Sequence, residues 1–433
     1  MHNMSDTVYI YTQSISNRLA YTCDLLLKTV LNVDFKLIDN IDNYPAGQAL
    51  INYSDQTIAN SISIKPHQLL FEQDIKPQGT EVSRLNGIPF FFKTGDAATI
   101  NYDIFASGFY IATRYEEYLP FEPDNHGRFS AGQSLASQNG FLHLPIVHLW
   151  ADTLKKALQT SFPELTFPKS VFKQINTIDI DVAYAFKGKP LLRQAGNLIK
   201  SLLRRDTETL KNHRGYRKHN KDYLDTYDYI EQIAKQFPLP HIFFCEVGSY
   251  AKYDRNIPLN KVYKSLIKRL SKTGEIGIHP SYQSNDKPHQ LPQLINKLQS
   301  TIETPVTKSR QHFLRLNFPG TYERLIANGI TEDYSMGFQD DIGFRAGLCV
   351  PYSFFNVTTN VSRPLTIIPF QVMEGTLKDY MNLGIDEAIV ETLKIKQQVQ
   401  NTGGTFISIF HNSSLTNQGE WQGWRKLYEA IRI

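Results

Sequence analysis

Two aspartates in TIDID (177–181) head the residues that could do chemistry. Asp179 and Asp181 lie at the end of an apolar stretch, VFKQINTIDI (171–180), and on a strand they share a face. Carboxylates that close repel each other unless a proton or a cation relieves them. A metal does so by taking one as a ligand and leaving the other as a base. His279 closes EIGIH (275–279) and is fixed by the following Pro280. His312 lies in SRQHFLRL (309–316) beside Arg310 and Arg315. Neutral imidazole is a common metal ligand. His411 closes GTFISIFH (404–411), where it could act as a general acid. Arg345, in GFRAGLCVP (343–351), could hold a carboxylate bidentately. Each residue alone also has a plain reading as a core histidine, a loop cap or a salt bridge. Their repeated placement at the ends of apolar stretches is the stronger signal.

The elements around them alternate. Short apolar segments at 171–180, 240–247, 275–279, 309–316, 334–338, 365–370 and 404–411 are separated by helix-like blocks at 259–272, 292–303 and 384–401. Strand alternating with helix implies a parallel sheet. About seven strands over about 260 residues suggest an irregular barrel, in which functional groups sit at the C-terminal strand ends. The preceding part reads as mixed α/β, with strands at 7–11 and 88–92 and helices at 101–119 and 145–158. Asp103 is placed to favour the start of the first of these helices. SFPELTFPKS (161–170), with two prolines, reads as a linker between domains 1–168 and 169–433.

Composition narrows the class. The chain has 433 residues, 41% hydrophobic and 20% charged, which fits an ordinary folded protein. No window is apolar for long enough to span a membrane. No secretory signal is visible at the start, and the three isolated cysteines form no C-x-x-C pair. Reduced thiols and a cytoplasmic location are the expectation. Residues 1–170 carry a net −5 and 171–433 a net +9. Much of the excess lies at 187–221, which holds 11 Lys and Arg against Asp206 and Glu208. That run reads as a solvated helical face, or alternatively as a site for an anionic polymer. Tyr216, Tyr223 and Tyr227 could stack on sugar rings if the segment covers a barrel mouth.

The C-terminal region resembles the NodB-homology polysaccharide deacetylases. TIDID (177–181) is similar to the family's first motif, GIHPS (277–281) to the second, GFRAGLCVP to the third, PFQVMEGTL (369–377) to the fourth and IFHN (409–412) to the last. The resemblance implies an irregular (β/α)7 barrel after a smaller mixed α/β domain, with a long basic insertion at about 187–240. It implies a divalent metal, usually zinc, and removal of an acetyl group from a glycan or sugar. Asp179 would be the base, Asp181 and His279 ligands, Arg345 the holder of Asp179 and His411 the acid. The second motif usually has a further histidine four residues on, where this chain has Gln283. His312 is therefore the candidate third ligand, with His289 the weaker one. The N-terminal region, through 103–120 and 134–150, resembles an uncharacterised domain that precedes such barrels in some bacterial proteins. Arg114, Glu116 and Glu117 there read as a salt bridge at the surface or between domains. The expected partner is an acetylated glycan, with no nucleic acid and no membrane span. The rival reading is a degenerate barrel that binds glycan or a partner protein without hydrolysis.

Overall fold

The computed structural model describes residues 7–432. The first part is built on a four-stranded parallel sheet. Thr7–Thr12 pairs with Asp34–Ile38 on one side and Ala49–Tyr53 on the other, and Ile62–Ser63 joins the outer edge. Val8 and Ile10 are fully buried, as alternation along a half-covered strand requires. The helix Ile104–Ala112 is buried along its whole length. Asp103 caps it by accepting from the backbone N–H groups of Phe105 and Ala106, which would otherwise lack partners. This helix is shorter than the expected 101–119, because Arg114 turns left-handed (φ 56°) and a 3-10 turn, Tyr115–Tyr118, follows. The second helix, Ile146–Ser161, starts after Pro145 and runs into the expected linker.

The second part holds a nine-stranded sheet. Its order is Val372–Met373, Thr405–His411, Lys173–Ile180, His241–Glu246, Glu275–His279, Lys308–Ser309, Glu332–Asp333, Val361–Ile367 and Tyr352–Asn356. Every pairing is parallel except the last. Helices cover the parallel strands, so strands such as HIFFCE are buried on both faces and read as continuous apolar runs. The stretch 361–373 meets both ends of the parallel ladder. Thr366 is in register with Glu332, and Met373 with Ile409.

Two expected strands are largely turns. Of the 309–316 region only Ser309 pairs, in the short strand Lys308–Ser309, because Phe313 (φ 59°) and Leu314 (φ 53°) are left-handed and cannot continue a ladder. The segment 334–338 follows its strand, Glu332–Asp333, instead of forming it. The basic segment folds as two helices, Leu191–Leu203 and Thr207–His219.

The two parts share one apolar core. Phe355 packs on Tyr21 and Phe109, with ring centroids 4.9 and 5.3 Å apart. Arg18, fully buried, donates from Nε to Asn360 Oδ1 at 2.6 Å. Such contacts fix the first part against the nine-stranded sheet.

Candidate metal centre and active site

The strand Lys173–Ile180 delivers Asp179 and then Asp181 to its C-terminal end. Its two neighbours end at the same level: His411 is in register with Asp179, and Glu246 with His279. Parallel register therefore gathers residues far apart in sequence onto one rim. His312 arrives from the left-handed turn beyond Ser309.

Three imidazoles converge on Asp181. His279 Nε2 lies 3.2 Å from Oδ1, and His312 Nε2 and His411 Nε2 lie 3.5 and 3.6 Å from Oδ2. Each ring is held from behind through Nδ1. His279 Nδ1 donates to the Arg310 carbonyl at 2.6 Å, a partner that can only accept. His312 Nδ1 donates to Asp254 Oδ1 at 3.1 Å, and His411 Nδ1 to Glu374 Oε1 at 2.8 Å. With the proton fixed on Nδ1, the Nε2 lone pair faces the carboxylate. Lone pair against carboxylate is repulsive unless a cation or a second proton lies between them.

Electrostatics reflect this. Burial would raise the Asp181 carboxyl, yet His312 and His411 hold it well below the usual carboxylate range. Burial would lower His312 and His411, but Asp181 raises the first to about 10, and Glu374 with Asp181 raises the second to about 10. Burial pushes Glu246 up to about 8.

The donor set fits a divalent metal. Asp181, His279 and His312 each offer an atom within 4.8 Å of the other two. Asp181 Oδ1 is buried and has no hydrogen-bond partner. Two imidazoles and one carboxylate suit zinc and related ions, and oxygen contacts behind the imidazoles are the usual support for such ligands. His289 is not in the cluster.

Asp179 sits beside the cluster, with Oδ2 3.9 Å from His279 Nε2. Arg310 Nη1 donates to its Oδ1 at 3.1 Å and to Thr177 Oγ1 at 2.7 Å. This corrects the expectation for Arg345. The Arg345 guanidinium is used up elsewhere: Nε and Nη2 pair with Glu117 at 2.9 and 2.5 Å, and Nη1 donates to the Gly337 carbonyl. Glu117 also accepts from Arg114 Nε at 2.7 Å, so Arg114, Glu117 and Arg345 lock the two parts together out of water.

A cleft of about 250 Å³ opens over these groups. Asp179, Asp181, His279, His312 and His411 line it, with Phe313, Met373 and Tyr380. Arg128 of the first part also lines it. Arg128 donates to the Phe313 carbonyl at 2.9 Å and the Tyr380 hydroxyl at 3.2 Å, and pairs with Asp124. Tyr216, Tyr223 and Tyr227 do not line the cleft; Tyr227 is fully buried and donates to the Ala183 carbonyl. Sequence reading missed Asp254, Glu246 and Arg128 as site residues. Glu246 left a readable mark, a carboxylate closing an apolar strand. Asp254 and Arg128 sit in loops and left none.

Comparisons with known proteins cover both parts. Residues 8–163 match the model of a family of unknown function, DUF7033. No curated protein matches the chain. Among solved structures, the chain is similar to a candidate polysaccharide deacetylase from Mycobacterium smegmatis, at 15% identity and a TM-score of 0.40, over 62% of this chain and 87% of that one. It is similar to a polysaccharide deacetylase from Bacillus cereus at 10% identity and a TM-score of 0.29, over 61% and 86% of the two chains. A mutant of a CE4 family pseudoenzyme with restored enzymatic activity matches at 13% identity and a TM-score of 0.27, over 65% and 77%.

Proposed function

We propose that the protein is a metal-dependent hydrolase that removes acetyl groups from an acetylated sugar or glycan. The observation that carries this reading is the convergence of three Nδ1-anchored histidines on Asp181 beside an Arg-braced Asp179. Asp181, His279 and His312 would hold the metal, which when bound supplies Lewis acidity and lowers the pKa of water. Asp179 takes the proton of the attacking water, with its carboxylate oriented by Arg310. His411 donates from Nε2 to the departing amine or alcohol while Glu374 keeps its Nδ1 proton in place. A carboxylate base and an imidazole acid in register on neighbouring strands, both beside the ligand cluster, suit hydrolysis better than binding alone. The fold proposed with this function is an irregular (β/α)7 barrel over 169–433, in which the stretch 361–373 is the closing stave. Residues 1–168 form the preceding domain.

The test is acetate release from a panel of N- and O-acetylated oligosaccharides, run with metal-depleted and zinc-reloaded protein. Release that depends on metal and is lost in Asp179→Asn supports the reading. Substrate binding without release, in fully metal-loaded protein, would replace it with the degenerate binding barrel.

A further inference from the structure

The helix Leu191–Leu203 is attached the wrong way round for a globular surface. Leu191, Leu192, Ile199, Leu202 and Leu203 are 82, 89, 58, 57 and 81% exposed. At 3.6 residues per turn these five fall within about 120° of the helix circumference. The helix is held to the protein by its polar side instead. Gln194 Nε2 donates to the carbonyls of Phe186 and Lys189 at 3.2 and 2.9 Å, and Arg193 Nη2 donates to that of Asn256 at 3.3 Å. A helix of a globular protein ordinarily turns its apolar stripe inward.

Charge accompanies the exposed stripe. Lys200 and the C-cap residue Arg204 lie beyond one edge of it. The helix Thr207–His219 follows with Lys211, Arg214, Arg217 and Lys218. At the first turn, Pro190 and Arg193 join Lys264 and Lys297 around a cleft of about 510 Å³ that no carboxylate side chain lines.

We propose that this helix is an in-plane anchor for an anionic phospholipid surface. The leucines would enter the boundary between headgroups and acyl chains, and the basic residues would meet the lipid phosphates. No helix among the described residues is long and apolar enough to cross a membrane, so the attachment is peripheral. A second copy would cover the leucines but would set two strongly basic segments against each other. A polyanion in solution would satisfy the charges and leave the leucines in water.

Flotation with phosphatidylcholine vesicles, with and without about 30% phosphatidylglycerol, tests the anchor. The full chain is expected to float with the anionic vesicles and to release at high salt. Leu192→Glu with Leu203→Glu should weaken binding about tenfold or more, and Lys200→Gln with Arg204→Gln should do the same. An unfolding midpoint equal to wild type shows that each pair leaves the fold intact; Leu192→Ser with Leu203→Ser serves if the glutamates lower it. Absence of flotation overturns the proposal, and so does undiminished flotation of the leucine variants. Self-association in sedimentation that the leucine variants abolish, without vesicle binding, assigns the face to a second copy. Acetate release from soluble substrates is unaffected in either case, so failure of the anchor is distinguishable from failure of the proposed activity.

Discussion

Arg310 Nη1 donates to Asp179 Oδ1 across 3.1 Å, with both side chains almost wholly out of water. The same guanidinium lies over the Phe244 ring, 4.6 Å from its centroid, so it is fixed by packing as well as by charge. Arg310→Met removes one partner of a buried pair, which costs about 3–5 kcal/mol because the other charge is left alone. A lower unfolding midpoint together with loss of acetate release is expected. Arg310→Lys keeps the charge but not the planar group whose Nη1 reaches Thr177 and Asp179 while Nε donates to the Tyr334 carbonyl, and should recover stability in part and turnover hardly at all. Wild-type turnover in Arg310→Lys would remove Arg310 from the orientation of the base.

Metal content should follow the ligand set. Elemental analysis of His312→Ala is expected to show the bound metal lost, with no compensation from His289, which lies outside the cluster. Asp254→Asn is the finer probe, because Asp254 touches His312 and not the ligand atoms of Asp181. Loss of such support commonly costs about 10–100-fold in metal affinity. Unchanged affinity in Asp254→Asn would mean that the left-handed turn alone positions His312.

The proposed acid can be separated from the proposed ligands. His411→Gln should lower turnover by about 100-fold or more while metal stays bound. Glu374 Oε1 accepts from both the backbone N–H and Nδ1 of His411, at 2.7 and 2.8 Å. Glu374→Gln removes the group that raises His411, so the alkaline limb of the pH–rate profile should move to lower pH. An unmoved limb would indicate that another group supplies the proton.

Most of the cluster could be read in advance because register in a parallel sheet is simple. Asp179, His279 and His411 each close an apolar run, and parallel pairing brings such ends to one rim. His312 was legible only as a substitute for Gln283, since the turn carrying it does not pair beyond Ser309. Arg345 misled because bidentate capacity shows in sequence whereas the carboxylate it meets does not. Its partner is Glu117, 228 residues away and in the other part of the chain. The inverted helix Leu191–Leu203 was invisible for a related reason: its periodicity shows an apolar face, but not which way that face is turned.

Arg128 is a positioning residue contributed by the first part of the chain. It holds the carbonyl of Phe313, the first left-handed residue after His312, and the hydroxyl of Tyr380 on the far wall of the cleft. Arg128→Ala should raise KM more than it lowers kcat, because two walls loosen while the proposed base, acid and metal ligands stay in place. Metal content equal to wild type is the control. A fall in metal content without change in KM would instead place its effect on His312.

His148 joins the two parts and gives the fold a pH dependence that can be signed. Its Nε2 accepts from the Cys349 backbone N–H at 3.3 Å, which requires the neutral ring, and burial lowers it to about 4. The unfolded chain takes up a proton near pH 6.5 that the folded protein refuses until about pH 4. Stability from this group is therefore full above about pH 6.5 and is lost as pH falls toward 4. The slope predicts a loss of about 2 kcal/mol between pH 7 and pH 5. Urea midpoints of wild type and His148→Gln at those two pH values measure it. The glutamine can still accept from Cys349 and does not titrate, so its midpoint should fall by less. Some slope should remain, because burial also lowers His241 to about 4. Equal losses in the two proteins would assign the acid sensitivity to other groups.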